Sequence, residues 1–363
     1  MDRKAVSFLI VGLAAGLLGS TFWFAKALRG QVAGEGAAVK VLKLAHGLDQ
    51  SHPVHLGMER MAQRLEEISA GSMKIEIYAN GVLGNETDCV EQLQHGALAM
   101  TKVSTAVLEA FSEEMKVFSL PYLFRDEAHF WSVLDSPVGR ELLEVRGAED
   151  LRGLCYYDSG SRNFYTVGKA VLRPGDLKGM KIRVMNSATA MAMMKQFEAA
   201  PTPIPWGELY TALQQGTVDG AENNPPSFTT NKHYEVCKHF SVNEHTRIPD
   251  ILLISTVVWD SLTEGQQWML QKAANDSVGY QRELWTKMTQ ESLEQAKERG
   301  VAIYYPDQRP FQEMAAGMYE GYSQGRVGEL IGAIRAVETS AEEAGRLAKQ
   351  KEAQQGGQKE GRQ

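Results

Sequence analysis

The chain has 363 residues, enough for two domains with hydrophobic cores of their own. Its composition, 43% hydrophobic and 23% charged with a formal net charge of −7, is ordinary for a globular protein. Lys and Arg are scattered rather than concentrated in a stripe, so the electrostatic footprint of a nucleic-acid-binding protein is missing. Nucleic acid is therefore excluded as a partner.

The N-terminus has the pattern of an export signal. The charged sequence "DRK" at 2–4 precedes the uncharged stretch 5–25, and a bilayer span takes about 20 apolar residues. The sequence "AKA" at 25–27 fits a cleavage site of the small-x-small type. Residues 1–27 are therefore predicted to be a signal peptide, the slightly preferred alternative, or an uncleaved membrane anchor. A Gly/Ala-rich linker at 28–38 follows.

The first part of the folded body alternates between strand and helix patterns. Strand patterns at 41–47 and 74–81 enclose a helix that begins at Pro53 and ends at Gly71. A strand, a helix and a strand within about 40 residues form a βαβ unit, which implies a parallel sheet. The next elements, in chain order, are a helix near 85–95, the apolar run "ALAMTKVSTAVL", the strand-like segment "MKVFSLPYLF", a helix over 126–145 and a strand at 152–157.

A second α/β unit begins near Asp158. It contains "DSGSRNFYTVG", the strand "GMKIRVM", a helix over 187–198 and the helix "WGELYTALQQG". The segment 250–259 is too apolar to be anything but a central strand, and the proline-free segment 263–299 predicts a helix long enough to bridge two lobes. From residue 341 onward the charged tail lacks aromatic and β-branched residues, which predicts disorder or at most a fraying helix.

Metal and disulfide patterns are missing from the sequence. The three cysteines lie far apart without a CxxC pair, which favours three small core residues. His46, His52 and His55 are close in sequence, but no Cys/His or HExxH pattern accompanies them. We expect neither a metal nor another cofactor.

Arg183 is a charge inside an apolar strand, "KIRV". Strand alternation sends Ile182 and Val184 to the face opposite the arginine side chain. An unpaired buried charge is costly, so the guanidinium either pairs with an acid such as Asp219 or Glu222 or reaches a cleft where an anionic ligand completes it.

Two further residues favour the ligand. Arg162 lies in "DSGSRNFY", among small, polar and aromatic residues at the expected crossing between two lobes. Asn223 follows the Gly-containing turn of "VDGAENNP", where the chain is expected at a sheet edge or domain mouth. Arginine suits a carboxylate ligand because its planar fork donates two parallel hydrogen bonds to one carboxylate.

The sequence resembles the solute receptors of TRAP-type (tripartite ATP-independent periplasmic) transporters over essentially residues 40–325. The matching motifs, in order, are "HP" at the first helix, "SAGSMKIEIYANGVLGNETDCVEQLQHGALAM", "FSLPYLF", "DLKGMKIRV" and "PIPWGELYTALQQGTVDGAENNP". The resemblance implies a periplasmic-binding-protein-like α/β fold with two lobes around a cleft, joined by hinge strands and a long bridging helix. The expected boundaries are 39–159 plus 249–288 for lobe I, 160–248 plus 289–325 for lobe II, 326–340 for a C-terminal helix and 341–363 for a disordered tail.

The resemblance also implies which residues contact the ligand. Arg183 matches the arginine that forms a two-pronged salt bridge with the ligand carboxylate, Arg162 a second cationic contact, and Asn223 an amide that orients the carboxylate or a neighbouring hydroxyl. Trp206 matches an aromatic position that lines the pocket, and its alternative role is core packing. Glu86 matches a region that contributes polar contacts from the first lobe, and its alternative role is a favourable charge at a helix N-terminus. The remaining expected contacts are His46 and Asp49, in the loop after the first strand, and Asn163.

An acidic sugar fits these polar groups better than a small fatty acid does, since carboxylate side chains accept hydrogen bonds from sugar hydroxyls. The expected protein is a monomeric periplasmic receptor, tethered to the inner membrane if the signal is uncleaved. The strings "YYDSGSRNFYT", "WGELYTALQQG" and "AENNPPSF" look most like those of family members that bind a hexuronate such as glucuronate or galacturonate, or a keto-aldonate. The resemblance also implies delivery of the ligand to integral membrane TRAP subunits. A C4-dicarboxylate or another organic acid is the alternative ligand.

Two other classes of function compete with the receptor. A periplasmic uronate-acting enzyme would use Glu86 and His46 as acid and base, but the sequence lacks a GxSxG elbow, a P-loop and HExxH. A membrane-tethered sensor would use lobe closure to signal to a partner. The sequence therefore favours a protein that is not an enzyme.

Overall fold

The computed structural model describes residues 38–346. The predicted signal or anchor at 1–27 lies outside the described residues, as do nearly all of the linker and the tail from 347 onward. Within 38–346, no helix combines the length and the apolar character that crossing a membrane requires.

The first sheet, sheet A, has five strands in the order β2-β1-β3-β10-β4. β1 runs parallel to both β2 and β3, whereas β10 is antiparallel to both of its neighbours. The parallel pairing predicted for the first βαβ unit is thus confirmed. The strands, labelled in chain order, are β1 (Lys40–Ala45), β2 (Met73–Tyr78), β3 (Met100–Ser104), β4 (Leu151–Tyr157) and β10 (Asp250–Ser255).

The second sheet, sheet B, has six strands in the order β11-β9-β5-β8-β6-β7. β6 runs parallel to β7 and β8, while β5 is antiparallel to β8 and β9. The strands are β5 (Ser161–Thr166), β6 (Lys181–Val184), β7 (Ala200–Pro203), β8 (Gly220–Asn223), β9 (His239–Arg247) and β11 (Ala302–Tyr304).

Helices cover the sheets and connect them. They are α1 (Pro53–Ile68), α2 (Glu86–Gln94), α3 (Glu127–Asp135), α4 (Pro137–Leu142), α5 (Ala188–Gln196), α6 (Leu209–Gln214), α7 (Pro225–Thr230), α8 (Thr256–Asp260), α9 (Glu264–Glu298), α10 (Arg309–Ala316) and α11 (Gly325–Ala336). α2 begins with a capping box between Asn85 and Asp88, which satisfies two backbone N–H groups at the helix start.

Two short segments and one long helix join the sheets. The chain leaves sheet A after β4 and enters sheet B at β5, and it returns from β9 to β10. α9 has 35 residues, about 52 Å at 1.5 Å per residue, and contacts α1 at one end of its path and α7 at the other. The expected architecture of two α/β lobes with hinge strands and a bridging helix is confirmed. Lobe I is used below for the body around sheet A, and lobe II for the body around sheet B.

Three predicted elements differ from the structure. "MKVFSLPYLF" is not a strand, because residues Glu113–Ser119 form a 3-10 helix whose Val117 and Phe118 are fully buried. An apolar run indicates that a segment is buried, and a helical turn can bury it as well as a strand can. The helix predicted over 126–145 is divided in two at Pro137. Proline has no backbone N–H for the helical hydrogen bond, and its ring clashes with the preceding turn of a continuous helix.

The C-terminal half of the predicted strand 250–259 is also helical. β10 ends at Ser255, and α8 follows with Val257 53% exposed, so only the first six residues are central to sheet A. Residues 341–346, at the start of the predicted tail, are helical, which the alternative of a fraying helix allows.

Candidate ligand-binding site

Parallel strands bring the predicted ligand-binding residues to the edges where the lobes meet. In sheet B, Arg183 lies near the end of β6 and Asn223 ends β8, while Trp206 follows β7. In sheet A, His46 follows β1 directly and Glu86 follows β2 at the start of α2. The carboxyl ends of parallel strands are where open α/β sheets bind ligands.

Arg183 is buried, with 2% of its surface exposed, and no carboxylate in the described range 38–346 forms a salt bridge with it. Its Nε donates to the carbonyl oxygen of Ile204 at 2.8 Å, whereas its Nη1 is buried without a hydrogen-bond partner among residues 38–346. Burial lowers the pKa of Arg183, yet an arginine starts so high that the group stays charged. The structure therefore holds an uncompensated cation at this position.

The two acids that could have neutralised Arg183 are used elsewhere. β8 places Ala221 opposite Arg183, and strand alternation turns the next residue, Glu222, to the other face. Asp219 accepts a hydrogen bond from the backbone N–H of Lys181 at 2.8 Å. The internal ion pair considered from the sequence is not formed.

Trp206 forms one wall beside Arg183 and reaches the other lobe. The guanidinium carbon lies 5.8 Å from the centroid of the Trp206 ring, within the range of a cation–π contact. The half-buried ring packs against hydrophobic clusters of both lobes, and a Cβ placed on Gly47 after β1 would lie 3.7 Å from its Cδ1. Its Nε1 is buried without a partner in the described part of the chain. Trp206 thus presents a second unsatisfied donor at the boundary between the lobes.

His233 extends the aromatic wall. Its ring centroid is 5.1 Å from that of Trp206, and its Nδ1 lies 2.9 Å from the hydroxyl of Tyr165. Burial, followed by the charge of Arg183, lowers the pKa of His233 to about 3. The imidazole is therefore neutral at physiological pH and adds no second cation beside Arg183.

Arg162 differs from Arg183 because a protein carboxylate neutralises it. Its Nη2 donates to Glu222 Oε1 at 2.9 Å and its Nε donates to the other oxygen. Burial opposes ionisation of Glu222, but the charge of Arg162 outweighs it and lowers the pKa of this carboxyl to about 2. A direct contact between Arg162 and a ligand stays a prediction, and the observed geometry gives this arginine a positioning role.

Asn223 is held by that ion pair and keeps one donor free. Its Oδ1 accepts from Arg162 Nη1 at 2.8 Å and from the backbone of Asn224 at 2.9 Å. Its Nδ2 donates to no group in 38–346. The orientation of this amide is therefore fixed with its NH₂ group available. Asn163 differs, because its amide bridges Ser161 and Glu244 in the β5–β9 bulge and both of its ends are used.

Glu86 belongs to a buried charge cluster of lobe I. Lys102 Nζ lies 2.6 Å from Glu86 Oε1 and 3.4 Å from Asp250 Oδ1, and the backbone N–H of Ser104 donates to the same Glu86 oxygen at 3.3 Å. Burial disfavours the charge of Lys102, but the two carboxylates outweigh it and raise the lysine pKa. Glu86 is also the first residue of α2, where its charge is favourable at the helix N-terminus, and its contact with a ligand stays a prediction.

His46 and Asp49 are both engaged by groups of lobe I. His46 contacts His55 through Nε2 at 2.9 Å and accepts from the Leu48 backbone at 3.1 Å through Nδ1. Burial, then Lys102 and His55, lowers the pKa of His46 to about 3, so it is neutral. Asp49 accepts from the hydroxyl and backbone of Ser51 through Oδ1, and these hydrogen bonds lower its pKa. Contact of either with a ligand stays a prediction.

Sequence reasoning missed Lys102, Asp250 and the neutralising role of Glu222. Lys102 and Asp250 each border or interrupt an apolar segment, as Arg183 does, so the same signal was available for them. The cysteines at 89, 155 and 237 are free and buried. No group of three or more His, Cys, Asp or Glu in 38–346 is arranged to hold a metal.

Two α/β lobes with an uncompensated, buried cation at their boundary define a two-lobed solute receptor of the periplasmic-binding-protein type. The chain belongs to the DctP family, bacterial extracellular solute-binding protein family 7, whose model matches residues 44–324. This is the family of TRAP receptors, so the chain is a solute-binding protein and not an enzyme.

Solved structures and a curated relative are similar to most of the chain. A TRAP solute-binding protein from Xanthobacter autotrophicus with bound β-D-galacturonate is 38% identical with a TM-score of 0.79, covering 82% of this chain and 100% of that one. One from Anaerococcus prevotii with bound D-glucuronate is 34% identical with a TM-score of 0.79, covering 82% and 97%. The 2,3-diketo-L-gulonate-binding periplasmic protein YiaO of Escherichia coli is 30% identical over 73% of this chain and 81% of its own.

Proposed function

We propose that the ligand of this receptor is a sugar acid, a hexuronate such as galacturonate or glucuronate or a closely related keto-aldonate. The observation that carries the proposal is the buried Nη1 of Arg183, which has no partner in the described residues. A ligand carboxylate would satisfy it and neutralise the cation in one step. The galacturonate and glucuronate in the two similar structures support this class of ligand.

Arg183, Asn223 and Trp206 would hold the acid end of the sugar. The guanidinium donates two parallel charge-assisted hydrogen bonds to one carboxylate. The Nδ2 of Asn223 lies on the neighbouring strand, oriented by Arg162, and would donate to a carboxylate or ring oxygen. The Trp206 ring would cover the C–H face of a pyranose.

Lobe I would contact the hydroxyl-bearing end. Carboxylates accept hydrogen bonds from hydroxyls and cannot donate them, so Glu86 and Asp49 suit the hydroxyl groups of a sugar. A ligand with contacts in both lobes stabilises the closed form by its higher affinity for that form. The closed receptor would then deliver the sugar acid, as a monomer, to integral membrane TRAP subunits for uptake driven by an ion gradient.

Export by the segment 5–25 completes the proposal. The mature chain would begin after 25–27 if the signal is cleaved, or stay tethered to the inner membrane if it is not. Cell fractionation with mass spectrometry of the recovered chain distinguishes the two forms. Recovery of the full chain from the cytoplasm would contradict export.

Calorimetry and thermal shift with purified protein test the ligand class. Galacturonate, glucuronate and 2,3-diketo-L-gulonate are compared with neutral galactose and with succinate. A ligand at a hundred times its dissociation constant stabilises the protein by about 2.7 kcal/mol, a readily measured shift. We expect a shift with at least one sugar acid and none with galactose. Binding of galactose as tightly as galacturonate would refute the role of the carboxylate, and a response to succinate alone would refute the sugar.

A further inference from the structure

The cluster of Glu86, Lys102 and Asp250, called the lobe I triad below, contains two carboxylates and one ammonium. Lys102 contacts both acids, at 2.6 Å and 3.4 Å. With both acids ionised the triad carries one net negative charge. The pKa of Asp250 is raised, chiefly by burial, and the charges of Lys102 and Arg162 oppose that rise without cancelling it.

The triad presents its negative member to solvent. The Lys102 side chain is 4% exposed, whereas the Glu86 side chain is 18% exposed. Both hydrogen bonds that Glu86 receives go to Oε1, and Oε2 accepts none from residues 38–346. A group that approaches the triad therefore meets a carboxylate oxygen before it meets the ammonium.

Lobe II has the opposite charge balance. Glu222 neutralises Arg162, and within 38–346 Arg183 is in no ion pair, so these three side chains together carry one net positive charge. Trp206 contacts Arg183 on one side and the lobe I loop at Gly47 on the other, so a ligand beside this ring extends from one lobe to the other. The charge of Glu86 acts on Arg183 and that of Arg162 acts on Asp250, so the lobe I triad lies within electrostatic range of both arginines. From this proximity we infer a positive end of the site at Arg183 and a negative end at Glu86.

We propose that this polarity restricts the site to sugar acids with one carboxylate, and that the lobe I triad rejects a second carboxylate at the far end of the ligand. The inference rests on the proposed function and sharpens its ligand class. At the triad a hydroxyl donates to Glu86 Oε2, whereas a carboxylate has no proton to donate and is repelled by the like charge. Aldarates and C4-dicarboxylates are therefore excluded, which removes the alternative ligand class that two arginines alone would permit.

Galactonate and galactarate form a matched pair for the test. Both are linear, and they differ only in that the terminal CH₂OH of one is a carboxylate in the other. Galacturonate is titrated in parallel as the reference sugar acid. We expect galactarate to bind at least about 100-fold more weakly than galactonate, because a like-charge contact at an interface is strongly unfavourable. If galactonate does not bind, galacturonate and its 1-phosphate give the same comparison on the pyranose.

Glu86→Gln tests whether the triad is the cause. The substitution removes the charge and keeps the size of the side chain. It should reduce the ratio of the affinities for galactonate and galactarate by about tenfold or more. Glu91→Gln is the matched control, since it removes the same charge from an exposed position of the same helix. Circular dichroism and melting temperature of each variant show whether it is folded.

The outcomes separate the two proposals. Failure of every sugar acid to bind would overturn the proposed function itself. Galacturonate binding together with equal affinities for the mono-acid and the diacid would overturn the charge rule and leave the function standing. An unchanged affinity ratio between the mono-acid and the diacid in folded Glu86→Gln would show that the lobe I triad does not cause the discrimination. An equally reduced ratio in Glu91→Gln would show that the net charge of the protein causes it.

Discussion

The contrast between Arg183 and Arg162 gives the sharpest prediction, because the two buried arginines differ in one respect. Arg162 donates to both oxygens of Glu222. Arg183 donates only to the carbonyl of Ile204, and its buried Nη1 has no hydrogen-bond partner among residues 38–346. We expect Arg162→Met to lower the stability of the ligand-free protein, and Arg183→Met to weaken ligand binding with little loss of stability.

The expected stability changes follow from what each substitution leaves behind. Arg162→Met leaves the carboxylate of Glu222 buried without a counter-ion, and breaking such a pair costs about 3–5 kcal/mol. Arg183→Met loses one hydrogen bond of about 1 kcal/mol and also removes an uncompensated buried charge. The free energy of unfolding of the ligand-free Arg183→Met protein should therefore stay within about 1 kcal/mol of the wild-type value or rise.

The expected binding changes concern the ligand carboxylate. Two hydrogen bonds to a charged group are worth about 1.5–3 kcal/mol each, so Arg183→Met should weaken galacturonate binding by about 100-fold to 10,000-fold. Arg183→Lys should also bind poorly, because an ammonium cannot reproduce the two-pronged geometry.

Urea unfolding and calorimetry on the same preparations measure both effects. Arg309→Met, at a side chain that is 80% exposed, is the control for removing a surface arginine. A loss of 3 kcal/mol or more in Arg183→Met, about the cost of a broken buried pair, would show that the guanidinium is a structural residue. Normal binding by that variant would remove Arg183 from the site.

Three further predictions concern the rest of the site and the hinge. Trp206→Ala should weaken sugar-acid binding by about tenfold or more, whereas Trp206→Phe keeps the ring and should lose less; equal losses by calorimetry would contradict a stacking role. Gly160, between β4 and β5, has a φ of +58° and its added Cβ would lie 2.8 Å from Trp285 Nε1, so Gly160→Ala should lower the melting temperature. Gly175→Ala meets nothing within 4 Å, and a similar loss there would refute this reading. The pKa of Glu222 is lowered from 4.5 to about 2, so its contribution to the unfolding free energy is full above its unfolded value and is lost as pH falls from there toward 2. Glu222→Gln should flatten that pH dependence, and an unchanged acid transition in urea titrations would show that another group causes it.

Local sequence signals were enough for much of the fold. The start of α1 at Pro53 and the strand alternation before and after it gave the first βαβ unit, because proline geometry and side-chain period are local properties. The same signals failed at 113–119 and at 256–260, where apolar residues form helical turns. An apolar run reports burial without reporting which backbone conformation achieves it.

The sequence by itself determined that Arg183 is a charge within a buried strand, since the apolar neighbours and the two-residue period require it. Which acid would neutralise it was decided only by the tertiary structure. The register of β8 against β5 and β6 brings Glu222 into a salt bridge with Arg162 and places Ala221 beside Arg183. Strand register depends on contacts between residues that are far apart in the chain, and no local pattern encodes it. The same holds for Lys102, which meets Asp250 only because β3 and β10 are neighbours in sheet A.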